Sequence, residues 1–252
     1  MVSKNDLKYY SSLLQKKYRV RERKFIAEGT KIIEEGFTNN WHPEIVFITK
    51  DFAELNPDFI ESLTHRSYIY QLLNDKEFVK LCDTINPQGV AAVFNYPKTE
   101  IKSKVNIIAA LEDVSDPGNL GAIIRNCDWF NIKEIILSEN CAELHNPKTI
   151  RSAMGSIFHL NIVENINLIS QLNILKSKGY QIITSDLAGN NIFEMIPEGK
   201  LVIVFSNEAK GPSSELLSIS DNVIAIPKYG KAESLNVASA SAVILSCLIS
   251  NK

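Results

Sequence analysis

The sequence predicts an α/β protein of 252 residues with a parallel sheet in its second half. Short apolar runs recur from residue 105 onward, and segments with helical spacing separate them. Near-continuous apolar strands joined by helical crossovers are typical of a parallel sheet that is covered on both faces. The first hundred residues also alternate between helix-like and strand-like patterns, which predicts a smaller α/β domain in front.

The first domain, over residues 1–97, is expected to begin with two helices. Residues 7–18 carry Leu7, Tyr10, Leu14 and Tyr18 on one side, and residues 25–36 repeat that apolar spacing up to Gly36. Further elements are expected as strands at 44–49, 67–70 and 90–94 and a helix at 75–81. The polar segment 98–105 has no apolar stripe and is the predicted linker.

The second domain, over residues 106–252, shows strands and helices in regular alternation. Strands are expected at 106–111, 134–137, 158–163, 181–184, 201–205 and 223–226. Helices are expected at 118–130, 147–154, 167–178 and 234–249. The strand at 106–111 leads into Asp116 and Pro117, which favour the first cap and first turn of a helix.

The composition excludes several classes of protein. An apolar fraction of 45% and a charged fraction of 22% are typical of a soluble globular chain, and no apolar run reaches membrane-spanning length. The N-terminus lacks the apolar core of a signal peptide, so we expect a cytoplasmic protein. Four cysteines without a C-x-x-C pair and four dispersed histidines predict neither disulfides nor a metal site.

Charge is distributed unevenly along the chain. Residues 1–31 hold nine basic and three acidic side chains, a net charge of +6, whereas residues 106–252 hold eleven basic and fifteen acidic ones, a net charge of −4. Positive charge at one end of a nearly neutral chain is typical of a surface that binds phosphates.

Three segments of the second domain carry polar residues after predicted strands. They are Asp116-Pro-Gly-Asn-Leu-Gly-Ala-Ile-Ile-Arg125, Phe205-Ser-Asn-Glu-Ala-Lys-Gly211 and Ile226-Pro-Lys-Tyr-Gly-Lys-Ala-Glu-Ser-Leu-Asn-Val237. Ligands of open parallel sheets bind outside the carboxyl ends of the strands, which is where these segments fall. No G-x-G-x-x-G motif follows a strand and no P-loop is present, which argues against a nucleotide-dependent dehydrogenase or NTPase.

In order and internal spacing, the three segments resemble the signature motifs of the SpoU (TrmH) family of RNA ribose methyltransferases, which belongs to the SPOUT superfamily. The resemblance covers the chain from about residue 106 to its end. It implies a trefoil-knotted catalytic domain, S-adenosylmethionine as cofactor and a homodimer formed through the C-terminal domain. The run of small residues from Ala238 onward suits close packing of the last helix.

The resemblance also implies roles for individual residues. The catalytic residues would be Asn119, Arg125, Glu208, Ser234 and Asn236. The cofactor would contact Thr184, Ser206, Asn207, Ile226, Gly230 and Leu235. At Ser206 glycine is frequent in the family, so the serine side chain would either crowd the cofactor or bind it.

Arg125 is open to two interpretations. The family resemblance makes it the catalytic arginine, and a guanidinium that binds the adjacent phosphate would stabilise charge without losing its proton. Taken alone, Arg125 could instead be a surface helix residue paired with Asp128.

The basic stretch near the N-terminus is the candidate RNA-binding segment. Its residues are Lys16, Lys17, Arg19, Arg21, Arg23 and Lys24. It resembles the N-terminal substrate-binding domain of many family members, although a charge run can also be a solvated helix face. Contacts from such residues to phosphates would supply affinity for RNA without selecting a nucleotide sequence.

The sequence therefore predicts an S-adenosylmethionine-dependent RNA 2′-O-methyltransferase. Ribosomal RNA is the expected substrate because a separate N-terminal domain is present. Two alternatives stay open: a tRNA 2′-O-methyltransferase, and an RNA-binding member that has lost catalysis.

Overall fold

A computed structural model describes residues 3–102, 105–196 and 198–250 of the chain. It forms two compact units, one made of residues 1–98 with 145–158 and the other of residues 99–144 with 159–252. The predicted α/β fold is confirmed. Among the described residues, no helix is both long and apolar enough to span a membrane.

The N-terminal part of the chain is organised on a four-stranded sheet. Its helices are α1 (Lys4–Ser12), α2 (Lys16–Glu22), α3 (Thr30–Thr38), α4 (Lys50–Leu55), α5 (Pro57–His65) and α6 (Asp75–Phe78), and its strands are β1 (Lys24–Glu28), β2 (Ile45–Thr49), β3 (Tyr70–Leu73) and β4 (Val90–Asn95). The strand order is β1-β4-β2-β3. Strand β4 runs antiparallel to β1 and β2, and β2 runs parallel to β3.

The C-terminal part is organised on a six-stranded sheet. Its strands are β5 (Ile107–Glu112), β6 (Glu134–Ser138), β7 (Asn161–Ile166), β8 (Tyr180–Asn191), β9 (Lys200–Ser206) and β10 (Asn222–Ala225), and its helices are α7 (Pro117–Trp129), α9 (Leu168–Ser177), α10 (Ser214–Ile219) and α11 (Val237–Ser250). Helix α8 (Pro147–Ala153) falls in this part of the sequence but belongs to the first unit. The strand order is β10-β8-β9-β5-β6-β7. Every pairing in this sheet is parallel, as the apolar runs predicted.

The predicted helix over 25–36 is confirmed only in part, because residues 30–36 belong to α3 whereas its first residues do not form a helix. They form β1, which pairs antiparallel with β4, and Phe25, Ile26 and Ala27 are all buried. Gly29 then takes a positive φ of 95°, which ends the strand before α3 begins. Residues buried on both faces of a strand mimic helical spacing, and this explains the error.

Other predicted elements change their limits. The helix expected over 7–18 is divided into α1 and α2, and the strand expected at 158–163 starts three residues later, after a 3₁₀ turn at Ser156–Phe158. The strand expected at 67–70 lies three residues later, as β3 (Tyr70–Leu73), and β8 is longer than predicted. Helices α4, α5 and α10 had not been predicted.

Residues 145–158 belong to the first unit although they fall in the sequence range 106–252. The His145 ring stacks on Tyr96 at 3.8 Å and lies 4.6 Å from the ring of Phe25. Trp41 donates its indole N–H to the carbonyl of Phe158 at 3.2 Å. Of the predicted linker 98–105, residues 103 and 104 lie outside the described part of the chain.

Strands β5 and β9 place the candidate site. They pair in register, with Leu111 opposite Phe205 and Glu112 opposite Ser206. Their apolar residues are fully buried, so the first polar residues emerge together at the carboxyl ends of the two strands. The loops that follow therefore start at the same edge of the sheet.

Candidate active site

Helix α7 begins as its sequence predicts. The Asp116 side chain accepts a hydrogen bond from the backbone N–H of Asn119 at 2.9 Å, and Pro117 occupies the first turn. This cap fixes Asn119 in the first turn of the helix, beside the end of β5.

Three predicted catalytic residues are joined by hydrogen bonds. The side-chain amide of Asn119 donates to a carboxylate oxygen of Glu208, and its carbonyl oxygen accepts from the amide of Asn236 at 2.9 Å. Each residue comes from a different one of the three segments found in the sequence. The structure thus brings Asn119, Glu208 and Asn236 together across separations of 89 and 117 residues.

A cavity of about 540 Å³ opens beside this group. It is formed by the segments 185–187, 206–212, 225–230, 232–235, and Val237 and Ala240. Of the predicted catalytic and cofactor-binding residues, those in its lining are Ser206, Asn207, Glu208, Ile226, Gly230, Ser234 and Leu235. Part of β8 and the loops after β9 and β10 therefore share one pocket, since β8 lies between β9 and β10 in the sheet.

The cavity lining combines apolar side chains with charged side chains of both signs. Apolar contact is offered by Ile226, Leu235 and Val237. The charged side chains are three carboxylates and two ammonium groups, those of Asp186, Glu208, Glu233, Lys210 and Lys228. Such a lining suits a ligand with an apolar body and charged groups.

The last helix begins three residues later than predicted. It starts at Val237, and the side-chain oxygen of Asn236 accepts the backbone N–H of Ala238 at 2.9 Å. Asn236 is therefore the N-cap. Ser234, the first residue of the predicted helix, lies before α11 in the cavity lining.

Thr184 does not fit its predicted cofactor contact. It is fully buried in β8, and its hydroxyl lies 2.6 Å from that of Ser220. The side chains that line the cavity are those of the next residues along the strand, Ser185, Asp186 and Leu187. The prediction identified a strand that borders the cavity, but the lining begins one residue after Thr184.

Ser206 is largely buried, and its hydroxyl donates to the Glu112 carboxylate at 3.0 Å. The sequence had offered two outcomes for this hydroxyl, crowding of the cofactor or a bond to it. In the structure the hydroxyl bonds to Glu112, while Ser206 also lines the cavity, so its contact with the cofactor stays a prediction.

Arg125 lies on the exposed side of α7. Within the described part of the chain, its side chain makes no hydrogen bond or ion pair and does not line the cavity. The pairing with Asp128 is also wrong, because Asp128 accepts from Lys133 at 3.4 Å and contacts His159 at 2.6 Å. Arg125 thus presents a guanidinium to solvent.

The six basic residues proposed for RNA binding differ in exposure. Lys16, Lys17, Arg21 and Arg23 are exposed, and Lys24 is ion-paired with Glu44 at 2.5 Å. Arg19 is only 2% exposed and donates to the carbonyl of Leu13 at 2.8 Å. The structure contradicts the assignment of Arg19 to a phosphate-binding surface, since its guanidinium is held inside the first unit.

Sequence reasoning missed Glu112, Asp113 and Asp186. Glu112 and Asp113 follow an apolar strand directly, and that position was a usable signal. Asp113 takes a positive φ of 56° and its carbonyl accepts from the Asn207 amide at 3.0 Å, a role that no sequence pattern reveals.

Family models match both parts of the chain. The SpoU rRNA Methylase family model matches residues 106–246, and a model called MRM3-like substrate binding domain matches residues 4–92. The first match covers more than half of the sequence.

Two individual relatives are similar to this chain over almost its whole length. The chain is 31% identical over 242 residues to the 23S rRNA (guanosine(2553)-2′-O)-methyltransferase RlmP of Bacillus subtilis (strain 168), covering 95% of this chain and 94% of the relative. It is 28% identical over 242 residues to an uncharacterised tRNA/rRNA methyltransferase of Synechocystis, covering 95% and 88%.

A solved structure shares the architecture. The AdoMet-bound rRNA methyltransferase from Sinorhizobium meliloti superimposes with a TM-score of 0.84 at 25% identity, covering 98% of this chain and 95% of that one. Together with the hydrogen-bonded motifs, these matches show that the chain belongs to the SpoU rRNA methylase family of RNA methyltransferases.

Proposed function

We propose that this chain transfers a methyl group from S-adenosylmethionine to a ribose 2′-hydroxyl of ribosomal RNA. The observation that carries the proposal is the hydrogen-bonded group Asn119, Glu208 and Asn236 beside the 540 Å³ cavity. Retention of these three polar residues argues against an inactive RNA-binding member.

The cavity lining fits S-adenosylmethionine. Its apolar residues suit the adenosine, and the carboxylates of Asp186, Glu208 and Glu233 suit a molecule that carries a sulfonium and an ammonium group. When bound, the cofactor supplies a methyl group that is already activated by the positive sulfur. The protein's task is then to orient the ribose hydroxyl and to stabilise its negative charge.

Each polar residue has a part in that task. Glu208, held by Asn119, would accept a hydrogen bond from the ribose hydroxyl and fix its direction. Asn236 supports Asn119 from the opposite side. Arg125 would bind the phosphate next to the target ribose and stabilise charge as the hydroxyl loses its proton. Ser234, in the cavity lining, would contact the substrate side of the site.

Ribosomal RNA is preferred to tRNA because of the relative that matches over almost its entire length. RlmP is named for methylation of a guanosine ribose in 23S rRNA, and this chain covers 94% of it, both domains included. The exposed residues Lys16, Lys17, Arg21 and Arg23 would supply the phosphate contacts in the first unit. An enzyme acting on bacterial-type ribosomal RNA would work in the cytoplasm.

We further propose that the C-terminal domain carries the trefoil knot and forms a homodimer, as the family resemblance implied. Within one chain, α11 already packs on α7, since Asn126 donates to Ala238 and Ser241 at 2.8 and 2.9 Å. Trp129, at the end of α7, is 83% exposed and offers apolar area to a second copy. Sedimentation should show a dimer at micromolar concentration that Trp129→Ala weakens, and a monomeric wild type would contradict it.

The activity is tested on RNA from a strain that lacks the gene. Purified protein with methyl-labelled S-adenosylmethionine should label its 23S rRNA at one position. The labelled linkage should resist alkali, because alkaline cleavage of RNA needs a free 2′-hydroxyl. Wild-type RNA, already methylated, is the matched control and should accept no label.

Three outcomes would overturn the proposal in different ways. Label in tRNA alone would favour the tRNA alternative. Alkali-sensitive label would place the methyl group on a base or another atom. No label and no cofactor binding, with RNA present, would support an inactive family member.

A further inference from the structure

The carboxylate of Glu112 binds both ends of one loop. Its Oε2 accepts from the Ser206 hydroxyl at 3.0 Å and from the Ser213 backbone N–H at 3.0 Å, and its Oε1 accepts from the Ser213 hydroxyl at 2.6 Å. Ser206 is the last residue of β9, and Ser213 caps α10 by accepting from Leu216 N–H at 3.1 Å. We call these three residues the Glu112 clamp.

The clamped loop is the one that carries Glu208. All six residues between the clamped ends, 207–212, line the cavity. Inside the loop, the Asn207 side chain accepts from the backbone N–H groups of Ala209 and Lys210 at 2.9 and 3.1 Å. Gly211 adopts a φ of 65° and donates its N–H to the Asn207 carbonyl at 2.9 Å. The loop is therefore a closed turn, and Ser213 joins its far end to β5 through Glu112.

The position of Glu112 explains how it reaches both ends. It is the final residue of β5 and lies opposite Ser206 in the parallel register of β5 and β9. Within the described residues it makes no ion pair, so its charge is directed at the two serines. Hydrogen bonds to an ionised carboxylate are about twice as strong as those between neutral groups.

We propose that Glu112 is a positioning residue that holds the loop 206–213, and through it Glu208 and the cofactor-lining backbone, in the binding conformation. This rests on the proposed function for the meaning of the cavity. The proposal also gives the Ser206 hydroxyl a role. Its hydrogen bond to Glu112 joins the ends of β9 and β5, and removing it should loosen one end of the loop.

The first test measures cofactor affinity by calorimetry on the full chain with S-adenosylmethionine. Ser206→Ala should weaken binding by about fivefold and Glu112→Ala by about tenfold or more, because one or three charge-assisted bonds are lost. In the Glu112→Ala background, Ser206→Ala should have no further effect, since its partner is already gone. Glu139→Gln, an exposed carboxylate beyond the end of β6 without a side-chain contact among the described residues, is the matched control.

The second test does not depend on the cofactor. Amide hydrogen exchange should accelerate in the segment 207–213 of Glu112→Ala and Ser206→Ala, while β5 and β9 keep their wild-type protection. Glu112→Gln, which keeps one acceptor oxygen, should give an intermediate acceleration. Thermal unfolding identifies any variant that has lost its fold. If Glu112→Ala has done so, the exchange and the cofactor affinity of Ser206→Ala test the proposal.

The results separate this proposal from the proposed function. A wild type that binds no cofactor would defeat the function, whereas the exchange experiment would still report on the clamp. Unchanged exchange and unchanged affinity in both variants would overturn the clamp. Fully additive effects of Ser206→Ala and Glu112→Ala would also overturn it, because the two residues would then act independently.

Discussion

The side-chain amide of Asn236 donates a hydrogen bond to the side-chain oxygen of Asn119 at 2.9 Å, linking the N-cap of α11 to the first turn of α7 across 117 residues. Asn236 is also the N-cap of α11, through the backbone N–H of Ala238. The side-chain oxygen of Asn236 thus accepts a hydrogen bond from the helix, whereas its side-chain nitrogen donates one to Asn119. A substitution can remove one of these hydrogen bonds and keep the other.

Asn236→Asp should keep the cap and lose the link to Asn119, because a carboxylate accepts but does not donate. Methyl transfer should fall strongly while stability stays near that of the wild type. Asn236→Ala should lose transfer and also about 1 kcal/mol of stability with the cap. Single-turnover rates and urea unfolding give the comparison. Near-normal transfer by Asn236→Asp would show that the link is not needed.

Arg125→Ala should reduce methyl transfer by about a hundredfold or more, while cofactor affinity and melting temperature stay unchanged. Affinity and melting temperature should not change, because Arg125 is exposed and does not line the cavity. Arg125→Lys should also lose methyl transfer, because an ammonium cannot form the bidentate hydrogen bonds of a guanidinium to phosphate. Near-normal turnover with lysine would reduce Arg125 to a general positive charge.

The exposed basic residues of the first unit should control RNA affinity. Replacing Lys16, Lys17 and Arg21 together with alanine should weaken binding and reduce the slope of log affinity against log salt by roughly two to three. Turnover at saturating RNA should change little. Filter binding over a salt series measures this, and an unaltered slope would remove these residues from the interface.

Arg19 provides the internal control for that experiment. Because it is buried and bonded to the Leu13 carbonyl, Arg19→Met should lower stability by about 1–3 kcal/mol. The salt slope of RNA binding should keep its wild-type value. A reduced slope in a variant that is still folded would restore Arg19 to the RNA-binding set.

The sequence predicted those features that depend on neighbours in the chain. Asp116 and Pro117 mark the start of α7 because a cap and a first-turn proline act within three residues. The three polar segments were found because each follows its own strand. The parallel sheet followed from apolar runs whose burial is nearly complete.

What the sequence did not predict depends on distant contacts. Residues 25–28 became a strand because β4, about 65 residues later, offers them an antiparallel partner. The role of Glu112 requires Ser206 and Ser213, which are 94 and 101 residues away. At Gly189 an added Cβ would lie 2.4 Å from the backbone of Ile224, an approach that only the folded pairing of β8 and β10 reveals.

The last prediction concerns the pH dependence of the first unit. His145 is buried between aromatic rings, and this burial, together with the charges of Arg19 and Arg23, lowers its pKa to about 3 from an ordinary value of 6.5. Between these values the unfolded chain binds a proton that the folded chain does not. Stability should therefore fall as the pH drops below 6.5, by up to about 1.4 kcal/mol per pH unit, and this contribution should be constant above 6.5.

Urea unfolding of a Trp129→Phe background, in which Trp41 reports on the first unit, measures the slope between about pH 4.5 and 7.5. His145→Phe should flatten the slope, because the ring stack is kept while the titrating group is removed. His65→Gln replaces a histidine whose side chain is 76% exposed and should leave the slope as it is. If His145→Phe and the wild type share one slope, protonation of His145 does not limit the stability of this unit, and other groups must carry its acid sensitivity.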